Sequence, residues 1–233
     1  MNSIIHCHSK YSHDSTCRPN SILNFCVKNN ISMIILSDHD NVSGSIEFAN
    51  LVKFRGLNII APPAAEYKTE YGDVILVGLS YTLEDKTFDN LIKVAKKNHC
   101  KLLLPHPFHD HTNIEYLARN VDYIEIFNSR CSELENQKAQ DLSNLLSKKS
   151  YASPDAHLLK EYNNCIINYD ATTDKDWREI LDSNWSFHSN KSAKPYNVYR
   201  SSLIKSVKLK SPKVFIKSLI RLLTFGYKFK RNR

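Results

Sequence analysis

Histidine and carboxylate residues recur near the ends of predicted strands, with spacings that suit metal binding. His6 and His8 are separated by one residue, and Asp155 and His157 repeat that spacing. Side chains at positions i and i+2 of a strand point to the same side, so each pair can hold one ion together. Mixed imidazole and carboxylate ligands suit zinc, manganese or iron. Residues of the same types lie near the ends of the predicted strands: Asp14 in the loop after the first, His39 at the end of the second, Glu66 after the third, His106 after the fifth and Glu125 late in the sixth.

The rest of the sequence predicts the elements that bring these residues together. Apolar runs without alternation are typical of strands buried on both faces. They occur at Ile4–His6, Met33–Ser37, Asn58–Ala61, Val74–Leu79, Lys101–Leu104, Tyr123–Phe127, Tyr151–Ser153 and Cys165–Asn168. Helical patterns alternate with them, which predicts parallel strands in a barrel or a doubly wound sheet. In a barrel, the carboxyl ends of the strands meet on one face, where active sites lie.

The composition of the 233-residue chain excludes several classes of protein. No apolar stretch approaches the roughly 18 residues of a membrane span. The five glycines form no phosphate-binding loop, so nucleotide binding of the P-loop or Rossmann kind is unsupported. The six cysteines include no C-x-x-C pair, and the first residues lack a secretory signal. These features favour a cytoplasmic protein with reduced thiols.

Four motifs together resemble the PHP superfamily, named for polymerase and histidinol phosphatase. They follow the family's order: His6-Cys7-His8-Ser9, Ser37-Asp38-His39-Asp40-Asn41, Pro105-His106-Pro107 and Pro154-Asp155-Ala156-His157. The resemblance covers roughly residues 3–170 and includes Asp14, the segment around Glu66, and Glu125-Ile126-Phe127-Asn128-Ser129-Arg130. It implies an α/β fold, a distorted (β/α)7 TIM-like barrel over residues 1–190.

The resemblance also implies how up to three divalent metal ions (Mn, Zn or Fe) would be bound. The first would take His6, His8, Glu66 and Asp155. The second would share Glu66 and take His106 and Glu125. The third would take Asp14, His39 and His157. Asp38 is a candidate for orienting a neighbouring side chain. The Asp that precedes the first His in the family is Ile5 here, so one carboxylate that would orient His6 is absent.

The leading hypothesis is a metal-dependent hydrolase that cleaves phosphoester bonds of a small phosphorylated substrate. A metal-bridging hydroxide would attack phosphorus, and Arg130 would bind the phosphate. The leaving oxygen would be either metal-bound or protonated by a loop histidine such as His109. A nuclease or nucleotide phosphatase acting on nucleic-acid fragments is the alternative. A catalytically silent, membrane-recruited binding module is a third reading, which the full ligand set disfavours. No obligate protein partner is implied, and we assign no site role to His13, His99 or His188.

Residues 191–233 form a basic tail. They contain 13 of the 32 Lys and Arg residues and no Asp or Glu. Lys213, Lys217 and Arg221 recur on one side of a predicted amphipathic helix that Gly226 would end. This helix suits peripheral contact with an anionic inner membrane face. Docking on the barrel is an equal alternative, and nucleic-acid contact ranks below both.

Overall fold

The computed structural model describes residues 1–231, and the side chains of residues 1–224. Over these residues the strands are β1 Asn2–Cys7, β2 Met33–Leu36, β3 Asp38–His39, β4 Ala64–Lys68, β5 Asp73–Val77, β6 Lys101–Leu104, β7 Tyr123–Asn128, β8 Lys149–Ser153, β9 Cys165–Tyr169 and β10 Trp185–Asn190. The helices are α1 Pro19–Lys28, α2 Ser43–Phe54, α3 Phe88–Asn98, α4 Ile114–Asn120, α5 Glu133–Leu145, α6 Trp177–Asp182, α7 Pro195–Lys208 and α8 Pro212–Arg231.

Local signals in the sequence explain where several helices begin and end. Pro19 opens α1, where its missing N–H carries no cost. Gly56 follows α2 with a φ of 60°, a left-handed conformation that glycine adopts readily. Ser132 precedes α5 and forms a capping box with Glu135, which satisfies free backbone donors at the helix start. These boundaries agree with the sequence patterns.

The strands form two mixed sheets. One has the order β10-β9-β1-β2 and the other β3-β4-β5-β6-β7-β8. The α/β class is confirmed, but closure of a single barrel is not, since β1 meets the segment after β8 through one isolated bridge, Cys7 to Ala156. The expected all-parallel order is also wrong, because β5 runs antiparallel to β4 and β6. Only residues 69–72 join β4 to β5, and so short a connection makes a hairpin rather than a crossover.

One predicted strand lies in the wrong place. Asn58–Ala61 contributes a single bridge from Ile60 to Met33 and no strand. The strand is β4, which begins after Pro62 and Pro63 and contains Glu66. The apolar run before the prolines gave the stronger sequence signal. Glu66 therefore projects from within a strand instead of from a loop after one.

A shared apolar cluster receives buried residues from eight strands, β1, β2 and β4 to β9. Its members include Ile5, Ile35, Ala64, Ile75, Leu103, Tyr123 and Tyr151, all 2% exposed or less. Two further clusters lie elsewhere in the core, where helices pack on the sheets. Close packing of the shared cluster fixes the strands from which the candidate ligands project.

The C-terminal region contains more structure than the sequence patterns predicted. Strand β10 and helix α7 were not predicted, and α8 continues through Gly226 instead of ending there. Glycine within a helix costs only about 1 kcal/mol, so its presence does not force an end. Helices α7 and α8 pack on each other, with Ser202 Oγ 2.6 Å from Ser218 Oγ. Within residues 1–231, no helix is both long and apolar enough to cross a membrane.

Gly44 lets α2 approach the strands closely, which gives a test of the packing. A Cβ atom there would lie 1.8 Å from Asp38 Oδ2 and 2.5 Å from Ser9 Oγ. We expect Gly44→Ala to lower the free energy of unfolding by about 1–3 kcal/mol, because buried atoms must shift. Chemical denaturation measures this. Ser43→Ala, at the exposed neighbouring position, is the control and should change stability little; equal stability of both variants would contradict the packing.

Candidate metal centre

Most of the candidate ligands converge on one buried centre. Their ligand atoms form three overlapping groups, and within each group all of these atoms lie within 4.8 Å of one another. The groups are His6, His8 and Asp155; His6, Glu66 and His106; and His8, Asp14, His39 and His157. The sharing of His6 and His8 joins the three groups into one continuous candidate site rather than three separate sites.

Glu66 lies at the middle of the centre. Its Oε2 is 3.4 Å from His6 Nε2, 3.5 Å from His8 Nε2 and 3.1 Å from His39 Nδ1. Its Oε1 is 3.3 Å from His106 Nε2. Both oxygens are buried without a hydrogen-bond partner among the described residues, as are His6 Nε2 and His8 Nε2. Buried polar atoms normally have partners, and these four are the types of atom that bind divalent metals. The residues present therefore fit metal ions.

A second focus is Asp14, at the edge of the centre. Its Oδ2 lies 3.2 Å from Nε2 of both His39 and His157. His13, which the sequence left outside the site, lies beside it, with Nε2 3.6 Å from the same oxygen. Nothing in the spacing of the motifs identified His13, since it falls one residue before Asp14 in a loop.

Unusual backbone conformations turn three of the candidate ligands toward the centre. His6, His106 and Asp155 have φ values of 60°, 28° and 45°, in a region that side-chain-bearing residues rarely adopt. At His6 the pairing of β1 with β2 also shifts register between Ile5 and Cys7. Such a bulge re-aims a side chain, and conformational strain of this kind clusters at functional sites.

Glu125 lies behind His6 and outside the three groups. Its Oε1 is 3.0 Å from His6 Nδ1, and its Oε2 accepts hydrogen bonds from the His106 backbone N–H at 2.7 Å and from Asn128 Nδ2 at 2.8 Å. The Glu125 carboxylate thus orients His6. An Asp at the position of Ile5 would orient this histidine in the family pattern, and the isoleucine side chain cannot do so. Direct metal binding by Glu125 stays a prediction.

Other polar side chains hold the ligands in place. Asp38, as expected, orients a neighbour: its two oxygens accept from the Ser9 backbone N–H and Oγ, both at 2.6 Å. Burial raises the pKa of Asp38 to about 6. Ser12 Oγ accepts from the His39 backbone N–H at 2.9 Å and lies 3.0 Å from His8 Nδ1. The loop after β1 is therefore tied to two ligands at once.

The charges of the centre hold Glu66, Asp155 and His8 in the forms that bind metals. Burial acts to raise the pKa of Glu66, but His6 and His39 hold it well below its usual range. Burial also acts to raise the pKa of Asp155, which His6 and His157 keep well below the ordinary value. Burial, with His157 nearby, lowers the pKa of His8 to about 3. Ionised carboxylates and a neutral imidazole are the forms in which these groups bind metals. Burial acts to lower the pKa of His39 and of His106, but Glu66 raises both to about 9, so metal binding by these two histidines must displace a proton.

The two predicted catalytic residues occupy different depths. Arg130 is mostly buried, with Nη1 2.7 Å from His157 Nδ1 and Nη2 donating to Ser201 Oγ at 2.5 Å. His109 is more than half exposed, with Nδ1 3.3 Å from Glu135 Oε1 and its ring centroid 6.0 Å from that of His106. Arg130 thus contacts the centre, whereas His109 lies at its rim.

Helix α7 also reaches the centre, through a lysine that sequence reasoning missed. Lys208 Nζ donates to the carbonyl oxygens of Lys10, Ser12 and Ser15 at 2.7–2.8 Å. All three carbonyls belong to the loop that carries Asp14. One lysine among thirteen cations in the tail carries no distinguishing sequence signal, so only the structure reveals it.

The fold and this centre together have the features of a metal-dependent hydrolase. The sequence matches the PHP domain family over residues 5–182. The chain therefore belongs to that family, as its motifs indicated.

Individual proteins are similar to this chain in sequence or in fold. The uncharacterized protein MJ1587 of Methanocaldococcus jannaschii is 24% identical over an alignment of 143 positions, which covers 55% of this chain and 82% of the relative. The structure of PsfC from Pseudomonas syringae covers 96% of this chain and 98% of its own, with a TM-score of 0.60 and 15% identity. Likeness at this identity extends to the fold alone, and it includes the C-terminal region.

Two further solved structures share the fold. A candidate metal-dependent phosphoesterase from Bifidobacterium adolescentis has a TM-score of 0.53 and 12% identity, over 66% of this chain and 87% of its own. An amidohydrolase from Chromobacterium violaceum, solved with bound sulfate and no metal, has a TM-score of 0.52 and 13% identity, over 70% of this chain and 89% of its own.

The contact of Lys208 with the Asp14 loop predicts a local effect of its removal. In Lys208→Met, we expect backbone amides of residues 9–17 to exchange hydrogen about tenfold or more faster, because each charge-assisted hydrogen bond contributes about 1.5–3 kcal/mol. Hydrogen exchange of the metal-free protein, read by mass spectrometry, measures this. Lys53→Met removes an exposed lysine from the last turn of α2 and should leave the loop unchanged. Identical exchange in both variants would show that Lys208 does not hold the loop.

Proposed function

We propose that this protein is a metal-dependent phosphoesterase that acts on a small phosphorylated substrate. The observation that carries the proposal is the convergence of three ligand groups on buried, unpaired atoms of Glu66, His6 and His8. Membership of the PHP family supports it. One neighbour of the same fold adds support for the ester, since it is described as a candidate metal-dependent phosphoesterase, whereas another is described as an amidohydrolase.

Two or three divalent ions, of Mn, Zn or Fe, would be held by the predicted ligands. His6, His8, Glu66 and Asp155 would bind one, Glu66 and His106 a second, and Asp14, His39 and His157 a third. Bound metals of this kind supply a water of lowered pKa and positive charge opposite the phosphoryl oxygens. Glu125 would keep His6 aimed at the centre in each step.

Two side chains of the protein would bind the phosphoryl group and transfer a proton. Arg130, whose guanidinium already reaches His157, would bind a phosphoryl oxygen and stabilise the charge that develops on it. His109 at the rim would donate a proton to the leaving oxygen, and Glu135, 3.3 Å from its Nδ1, would hold the ring. The exposure of His109 gives it access to a substrate entering from solvent.

A nuclease or nucleotide phosphatase is the second candidate. The observation that favours it is the basic C-terminal region, which α7 brings next to the metal centre through Lys208. Such a surface binds phosphates of any sequence. Parallel assays with a phosphomonoester, a phosphodiester and a short single-stranded oligonucleotide separate the two candidates, and preference for the oligonucleotide would replace the first with the second.

Loss of ligands should abolish both metal binding and hydrolysis. We expect the wild-type protein to carry two or three transition metals per chain after reconstitution with Mn or Zn, by elemental analysis. His8→Ala and Asp155→Ala should each lose at least one ion and reduce hydrolysis of a chromogenic phosphoester by a factor of about 10³ or more, since the ions supply the nucleophile. Circular dichroism checks that both variants fold.

The matched control is His188→Ala, which removes an exposed histidine on β10. It should keep wild-type metal content and turnover. A wild-type protein without metal after reconstitution, or normal turnover in both ligand variants, would refute the proposal.

Arg130 provides a separate test of phosphate binding. We expect Arg130→Ala to raise KM for the phosphoester and lower kcat/KM about 10²-fold, with metal content unchanged, because a buried guanidinium–phosphate contact contributes several kcal/mol. Ser201→Ala removes only the partner of Nη2 and should change KM much less. Loss of metal from Arg130→Ala would instead show that Arg130 serves to position His157.

A further inference from the structure

Helix α8 leaves an apolar surface uncovered although it packs on α7. Its contact with α7 involves Ser218, which is buried and lies 2.6 Å from Ser202 by their Oγ atoms. Five apolar side chains lie on a different side of the helix and are between 36% and 64% exposed: Phe215, Ile216, Leu219, Ile220 and Leu223. We call these five residues the apolar arc. A helix that had simply docked on the body would bury such residues.

Basic residues adjoin the apolar arc. At 100° per residue, the arc spans about 140° of the helix, and Lys213, Lys217 and Arg221 form the next stripe around it. Residues 191–233 contain 13 Lys and Arg and no acidic residue, so no carboxylate of this region can neutralise the stripe. An apolar arc bordered by cations is the pattern of helices that lie in the interface of a membrane.

We propose that α8 binds an anionic lipid bilayer, with the apolar arc inserted at the level of the headgroups and the basic stripe on the lipid phosphates. The charges argue against a second copy as the occupant, because two such regions would bring 13 cations against 13 cations without an acid between them. Nucleic acid would satisfy the cations but would leave the five apolar side chains in water.

The hairpin of α7 and α8 relates this surface to the metal centre. Lys208, at the end of α7, holds the loop of Asp14, and α8 begins four residues later at Pro212. Binding by α8 would therefore keep the centre close to the bilayer. The membrane contact itself does not depend on the hydrolase being active.

Vesicle sedimentation of the full chain tests the proposal. We expect binding to phosphatidylcholine vesicles containing 30% phosphatidylglycerol, little binding to phosphatidylcholine alone, and loss of binding at high salt as the charges are screened. Leu219→Gln with Ile220→Gln should weaken binding at least about tenfold, because both side chains leave the acyl boundary. Lys213→Gln with Lys217→Gln and Arg221→Gln should weaken it more, since each surface cation contributes to lipid binding.

The control variants change equivalent residues elsewhere. Phe54→Gln removes an apolar side chain that is 88% exposed on α2, and it should bind like the wild type. Hydrolysis of a small phosphoester should be unchanged in the α8 variants, which separates this proposal from the proposed function. Failure of the wild type to sediment, or equal sedimentation of the Leu219 and Phe54 variants, overturns the proposal. A dimer in analytical ultracentrifugation that Leu219→Gln disrupts also overturns it. So does a protein that binds an oligonucleotide instead of lipid and still does so after Leu219→Gln.

Discussion

The burial of the Glu66 carboxylate among four imidazoles is the interaction on which the rest of the structure depends. Its oxygens lie 3.1–3.5 Å from His6, His8, His39 and His106, and none of these contacts is a hydrogen bond that satisfies them. An ionised group without such partners is costly to bury. The fold must therefore hold the Glu66 carboxylate in place by other means. The strained backbone at several ligands and the hydrogen bonds around them serve this purpose.

The supporting network is built from residues that lie outside the three ligand groups. Glu125 fixes His6 and the backbone of His106, and Ser12 contacts the backbone of His39 and the ring of His8. The family pattern would orient the first histidine from the preceding residue, which is Ile5 here. Here the carboxylate comes from β7, which couples the first motif to the middle of the chain. The site therefore depends on the correct packing of β1 against the sheet that contains β7.

Side-chain chemistry was easier to predict from this sequence than topology. The motif residues carry their own signal, since His-x-His and Asp-x-His place two candidate ligands within three residues of the sequence. Glu66 was predicted as a ligand although its strand was misplaced. The strand was misplaced because the apolar run before Pro62 and Pro63 resembled a strand more than Ala64–Lys68 did. The contacts of Lys208 and His13 were not predictable, because they depend on where distant elements pack and leave no periodicity behind.

The C-terminal hairpin shows why a division of the chain by charge alone is incomplete. Charge separates residues 191–233 from the body, but Lys208 and Ser201 of α7 bind groups of the metal centre. The same region faces outward through the exposed apolar side chains of α8. Helix α7 thus contacts the site, and helix α8 presents an exposed apolar surface to solvent. A contact made on α8 can reach the metal centre through α7, whose three hydrogen bonds to the Asp14 loop provide a physical connection.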